Sequence, residues 1–179
     1  MSPAVSDTRS SLLKAGLDLL GENGYAASRL ADIASRAGLT TGAFYRHFPS
    51  KLDFFRDLFD DYAAELTVGL KSPVSIAEAM RNWLAIARKH TGVVRALAET
   101  MRPGTREATM AHELRTSCAY LLEPQIRAAG VGGRAEALMI CDILDQYALM
   151  EACGWIPRRD PTVVANALAA LVTRGLYLN

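Results

Sequence analysis

Five consecutive residues, Phe44, Tyr45, Arg46, His47 and Phe48, set three aromatic rings, a guanidinium and an imidazole directly before Pro49. At about 100° per residue, a helix through them points Phe44 and Phe48 the same way and Arg46 almost directly opposite. Gly42 and Ala43 fall near Arg46, while Tyr45 and His47 sit about 100° to either side of it. One face is therefore core, and the other is a cation flanked by two amphipathic donors. The major groove of DNA calls for this set, with a central side chain at the base edges and lateral groups on the two phosphate walls. The small residues Gly42 and Ala43 let the backbone come close. Lys51 adds an independent sign, because a cation in the first turn of a helix opposes the macrodipole unless an anion sits there too. A phosphate on that N-terminus would satisfy both Lys51 and the free backbone N–H groups.

Short helices have to hold these groups in place. A first helix from about Thr8 carries Leu13, Leu17 and Leu20 on one stripe and ends at "GENGY", where Gly24 suits a left-handed cap. Ser28 is placed to cap a second helix whose Leu30, Ile33, Ala34 and Ala37 have the spacing of a buried face. Gly38 stops it, Leu39 follows as an apolar plug, and Thr40 caps a third helix. That helix ends at Phe48, since the residue before a proline is pushed out of the helical region. Ser50, with Asp53 three residues on, opens a long helix to about Leu70. Beyond the break at "KSPVS", helical periodicity predicts helices near 76–90, 93–101, 105–129, 134–153 and 161–177. No alternating strand pattern or internal repeat is present, so the expected fold class is all-α.

The bulk properties narrow the function classes. The chain has 179 residues, half of them hydrophobic, enough for a substantial core. Its net charge of +1 is uninformative by itself, but up to Lys51 there are six Lys/Arg against four Asp/Glu, and the remainder holds fourteen against fifteen. The slight basic excess thus lies at the N-terminus, beside the candidate DNA-facing residues. The polar N-terminus and the lack of a long apolar run predict a cytoplasmic protein with no membrane partner. Cys118, Cys141 and Cys153 are odd in number and form no C-x-x-C, which predicts free thiols and no zinc site. No G-x-S-x-G or H-E-x-x-H appears, and "GVGGR" follows a helix rather than a strand, so no enzyme, cofactor or metal is expected.

The run "SRLADIASRAGLTTGAFYRHFPSKLDFF" resembles the DNA-binding domain of the tetracycline-repressor (TetR) family. The "DIA" of helix two, Gly38, Gly42, the Phe-Tyr-x-His-Phe core and the Ser-Lys opening helix four all carry the likeness, over about residues 8–55. The resemblance implies that Thr41, Gly42, Ala43 and Arg46 face bases and that Tyr45, His47 and Lys51 contact phosphate. It places Ser28 and Thr40 as caps close to the backbone. Some family members read a base from helix two where this chain has Ala31, which moves any such contact to Arg29 and toward phosphate.

By the same resemblance, residues 1–52 form a helix-turn-helix domain and residues 53–179 a helical domain for effector binding and dimerisation. The implied activity is that of a transcriptional regulator, a repressor that binds an inverted-repeat operator in double-stranded DNA as a homodimer and is released by a small molecule. An architectural DNA-binding protein without an effector is the alternative, and a cavity in the C-terminal domain would separate the two. Trp83, Leu97, Met101, Tyr120, Leu121, Tyr147 and Trp155 are the candidate lining of a mainly apolar effector pocket. The segment from Pro161 is apolar on nearly every side, as expected of a helix buried all round. Leu138, Val164, Leu168, Leu171 and Leu176 are therefore the candidate dimer contacts. Arg115 and His112 read as a solvated face, and Asp142 with Asp145 as a hydrated or dimer-facing pair.

Overall fold

A computed structural model describes residues 3–100 and 102–175, with side-chain surroundings from Thr8 to Arg174. The described residues form helices α1 (Pro3–Ala27), α2 (Leu30–Arg36), α3 (Thr41–His47), α4 (Lys51–Leu70), α5 (Ile76–Lys89), α6 (Thr91–Thr100), α7 (Arg106–Ala128), α8 (Arg134–Ala152) and α9 (Pro161–Gly175), with no strand among them. The all-α expectation holds, and the predicted helix limits from residue 76 to residue 153 are within two residues of those observed.

Local chemistry accounts for most of the breaks. Thr40 Oγ1 accepts the Ala43 N–H at 3.2 Å and starts α3. Ser50 Oγ accepts the Asp53 N–H at 3.1 Å and donates to Asp53 Oδ2 at 2.6 Å, tying the first turn of α4. Gly38 takes φ 72° in the turn after α2, a conformation that a side chain resists. One predicted cap is corrected: the N-cap of α2 is Arg29, which makes no side-chain cap bond. Ser28 is buried, and its hydroxyl donates to Gly24 O at 2.6 Å with Leu19 O at 3.2 Å. The chain kinks at Gly24 (φ 80°, ψ 178°) inside α1, so the carbonyls there lack helical partners and Ser28 supplies one.

The buried residues form one continuous cluster from Leu12 in α1 to Ala169 in α9. Within it, α4 runs from the N-terminal helices into the C-terminal ones, packing on α1 and α6 and on α5 and α7. The most extensive contact is between α1 and α6. Gly92 permits it, because a Cβ there would collide with the Leu17 carbonyl oxygen. The C-terminal helices pair α5 with α9 and α7 with α8. Cys118 and Cys141 are buried free thiols between α7 and α8, and desolvation pushes both well above the ordinary thiol range.

Candidate nucleic-acid interface and effector cavity

The inner side of α3 is an aromatic wedge. Phe44 is fully buried and Phe48 nearly so, and their rings pack on each other at 5.3 Å and on Phe54 at 5.3 and 5.0 Å between centroids. Three aromatic side chains locked together fix the rotation of α3 about its axis, and that rotation decides what faces outward. Thr41, Gly42, Tyr45 and Arg46 are exposed, with Tyr45 at 53%. Neither Arg46 nor Arg29 makes an ion pair or side-chain hydrogen bond among the described residues, so both guanidiniums stand ready for an outside partner. Thr40 is exposed with its hydroxyl engaged as the cap, and His47 is half-buried beside Phe48.

Three predicted interface residues sit differently. Ser28 is buried as described, and Ala43 is only 6% exposed, turned into the core beside Phe44. Lys51 is folded back: its ammonium donates to the Tyr25 carbonyl oxygen and lies 4.3 Å from the centre of the Tyr25 ring. Burial pulls the Lys51 pKa down, with the Glu99 carboxylate opposing. The carbonyl next to the Gly24 kink thus takes the place that the sequence reading left for a phosphate.

Two further side chains tie the C-terminal helices to this region. Glu99 Oε2 accepts the Ala26 N–H at 2.9 Å. Arg95 Nη1 donates to Gly21 O, with Glu22 O at 3.1 Å. Sequence reading missed both, although Gly92, Arg95 and Glu99 at helical spacing were a visible sign of one face built for close contact.

The opposite face of α6 borders a partly open cavity of about 40 Å³. Val94, Leu97 and Ala98 line it with Tyr62 of α4, Trp83 of α5, and Leu114, Arg115 and Asp145 from α7 and α8. Of the predicted pocket residues that are described, Trp83 and Leu97 are there and the others are not. Tyr120 and Trp155 are exposed at 65% and 72%, Leu121 packs against the core edge, and Tyr147 borders a separate groove toward α9. Met101 lies outside the described residues. Side-chain periodicity cannot tell inward from outward on a helix covered on two sides, and Tyr120 in fact stacks under Arg134 at 5.0 Å.

Two of the charges were also misplaced. Arg115 is half-buried rather than on a solvated face, and of the two carboxylates Asp142 is exposed, as expected, while Asp145 is half-buried. The Arg115 guanidinium holds both carboxylates, Asp142 at 2.9 Å and Asp145 at 3.1 Å. Burial pushes the Asp145 carboxyl up to about 6 despite that guanidinium, and lifts the Tyr62 phenol well above its ordinary range. No cluster of metal-ligating side chains occurs among the described residues, and no helix there is long and apolar enough to cross a membrane.

Of the candidate dimer contacts, Leu171 is 65% exposed and Leu168 half-buried at the groove between α8 and α9, with Leu138 half-buried on α8. Val164 is corrected: it is 6% exposed, on the side of α9 that packs on α5. Leu176 lies outside the described residues. Exposed apolar side chains that the sequence reading did not single out, Met139 and Ile143 on α8 and Val163 on α9, extend the same surface.

Residues 12–58 match the family described as "Bacterial regulatory proteins, tetR family". The transcriptional regulator CymR of Pseudomonas putida is 38% identical over 61 residues, which is 34% of this chain and 30% of that protein, so the chain spans under a third of the relative it matches. Over nearly the whole length, the fold matches a tetR-family regulatory protein from Rhodococcus RHA1 with a TM-score of 0.74 at 17% identity, covering 98% of each chain. It also matches FadR from Bacillus subtilis, solved in complex with stearoyl-CoA, with a TM-score of 0.67 at 18% identity over 93% of this chain and 98% of that one. Residues 12–58, which include α2 and α3, thus match the tetR-family model, and the whole chain shares the fold of tetR-family structures.

Proposed function

We propose that this protein is a dimeric repressor that binds an inverted-repeat operator through α3 and releases it when a small molecule enters the cavity beside α6. The observation that carries DNA binding is the outer face of α3, where Tyr45 and an unpaired Arg46 stand above a locked Phe44–Phe48–Phe54 wedge. In this reading residues 1–52 are the DNA-binding domain and residues 53–179 the effector-binding and dimerisation domain. Thr41, Gly42 and Arg46 face bases, while Tyr45, His47, Arg29 and a released Lys51 contact phosphate. The relatives matched are named as regulators, which favours this role over an enzymatic one.

Dimerisation is supported by the apolar strip of Met139 and Ile143 on α8 with Val163 and Leu171 on α9. A two-fold pairing there would present two α3 helices to successive major grooves and so double a weak half-site contact. Coupling to the cavity has two routes: α4, from Lys51 to Tyr62 at the cavity wall, and α6, with the cavity on one face and the Arg95 and Glu99 contacts to α1 on the other.

Selection of genomic fragments on the protein should return an approximate inverted repeat. Sedimentation should give a dimer at micromolar concentration, and Leu171→Glu should give a monomer that binds the same DNA far more weakly. A monomeric wild type, or selected fragments without two-fold symmetry, would remove the dimeric-operator reading. For any ligand found, bound operator must weaken its binding by the factor by which it weakens operator binding.

A further inference from the structure

Three side chains serve the backbone around the kink in α1. Gly24 leaves helical geometry at φ 80°, and backbone groups beside it turn to side chains for partners. The Ser28 hydroxyl takes the Gly24 carbonyl. The other two side chains act on one peptide group, the link between Tyr25 and Ala26. Its oxygen accepts from the Lys51 ammonium of α4, and its N–H donates to Glu99 Oε2 of α6 at 2.9 Å. A cation therefore sits on one edge of that peptide and an anion on the other. Each charge polarises the group in the sense that strengthens the other's hydrogen bond. Gly24 also makes the space, since a Cβ there would collide with Glu99 Oε1. The Tyr25 ring, 4.3 Å from the ammonium and braced edge-on by Phe55 at 5.4 Å, completes the seat in which Lys51 rests.

We propose that Glu99 is a positioning residue for DNA binding: through the Tyr25–Ala26 peptide it keeps the Lys51 ammonium seated, and so sets how freely Lys51 reaches a phosphate. This inference rests on the reading of Lys51 as a phosphate contact and names what restrains it. Lys51 opens α4 directly after the Ser50 cap, on the short link from α3. Its single ammonium is claimed by the seat in the free protein and by a phosphate in a complex, so the two positions compete. Burial disfavours the charged ammonium in the seat, and the Glu99 carboxylate opposes that cost. With the Glu99 charge removed, only a carbonyl dipole and a ring face stand against the hydration that Lys51 gives up, and the balance moves toward the phosphate. Mending the kink does not by itself call for a charge, because a neutral oxygen satisfies an N–H equally in number. Glu99 also follows directly on Leu97 and Ala98, which line the cavity from α6. The helix that borders the cavity thus carries the group that restrains a DNA contact.

The test is a double-substitution cycle on the whole protein, read as affinity for the selected operator fragment at several salt concentrations. Glu99→Gln keeps an oxygen for the Ala26 N–H and removes the charge. It is expected to tighten operator binding about two- to fivefold, the scale of a partly exposed charge interaction. In a Lys51→Met background the same change should lose most of that gain, since the group it frees is no longer there. Lys51→Met by itself should weaken binding and lower the slope of log affinity against log salt by about one. A weaker operator complex for Glu99→Gln would reduce Glu99 to a support of the kink. An equal gain with and without Lys51 would show a general effect of removing an anion near DNA. Either result overturns the proposal. The failure of the underlying reading looks different. Unchanged affinity and slope for Lys51→Met remove the phosphate contact, and this inference with it, while operator recognition by α3 stands. A wild-type protein that selects no DNA fragment removes both.

Discussion

In α3 the aromatic residues lock one another and leave the cation free, whereas around the cavity the cation is engaged by two carboxylates. Phe44, Phe48 and Phe54 contact each other through rings within 5.0–5.3 Å, and Arg46 projects from that base with no partner among the described residues. Beside α6, Arg115 is shared by Asp142 and Asp145. The first arrangement is preorganised: the exposed groups of α3 are held in place without a partner, so little ordering would be needed on binding one. The second is an ion pair at the wall of a mostly apolar cavity, and a ligand there moves an equilibrium only by its difference in affinity between two states.

The largest effect expected from breaking this contrast is at the wedge. Phe44→Ala should cost about 3–5 kcal/mol of stability, the usual range for emptying a fully buried phenylalanine site. Urea denaturation would read it, and operator binding should fall with the loss of a fixed α3. A loss under about 1 kcal/mol would mean that α3 is not held by its rings.

Arg46→Ala should leave stability unchanged and cost about 1–3 kcal/mol on the selected operator, with relaxed preference at one base position. Quantitative binding to the operator and to its single-base variants checks this. Equal loss on every sequence would reassign Arg46 to phosphate.

At the cavity the effect should be smaller and opposite in sign. Burial raises Asp145 from 3.8 to about 6, so folding takes up a proton in that interval and stability falls as the pH rises through it. Above about pH 6 the ionised group is a cost. Asp145→Asn should therefore stabilise the free protein by about 1–2 kcal/mol at pH 7.5 and flatten the pH dependence between 4 and 6. Urea midpoints at pH 5 and pH 7.5 decide it. Equal destabilisation at both would show that the pair with Arg115 outweighs the burial.

The smallest effect sharpens the role of Lys51, which belongs to neither arrangement in its present position on Tyr25. If it swings out to a phosphate, Lys51→Ala should weaken all DNA sequences alike, by less than about 1 kcal/mol, and reduce the slope of log affinity against log salt by about one. An unchanged slope would leave Lys51 on the Tyr25 carbonyl in the complex as well.

What was legible in the sequence follows the range of the interactions. The caps at Thr40 and Ser50 and the inward pair Phe44 and Phe48 depend on partners at most four residues away. Helical geometry alone brings such partners together. Ser28 shows the limit of that rule, since its hydroxyl has carbonyl acceptors four and nine residues back, exposed by the kink at Gly24, and so turned inward rather than capping α2.

The chain by itself determined that α3 would carry Tyr45 and Arg46 on one side and phenylalanines on the other, because rotation of 100° per residue is a property of the helix and not of its surroundings. Only the tertiary structure decided that Lys51 meets the carbonyl of Tyr25, 26 residues away, that Glu99 reaches the Ala26 N–H, 73 away, and that Arg115 is shared by Asp142 and Asp145. It likewise decided that Val164 faces α5 while Leu171, on a helix apolar nearly all round, faces out. The reason is that a buried charge or apolar side is assigned its partner by which helices come to lie side by side. That choice is made by packing over the whole core, and no local spacing encodes it.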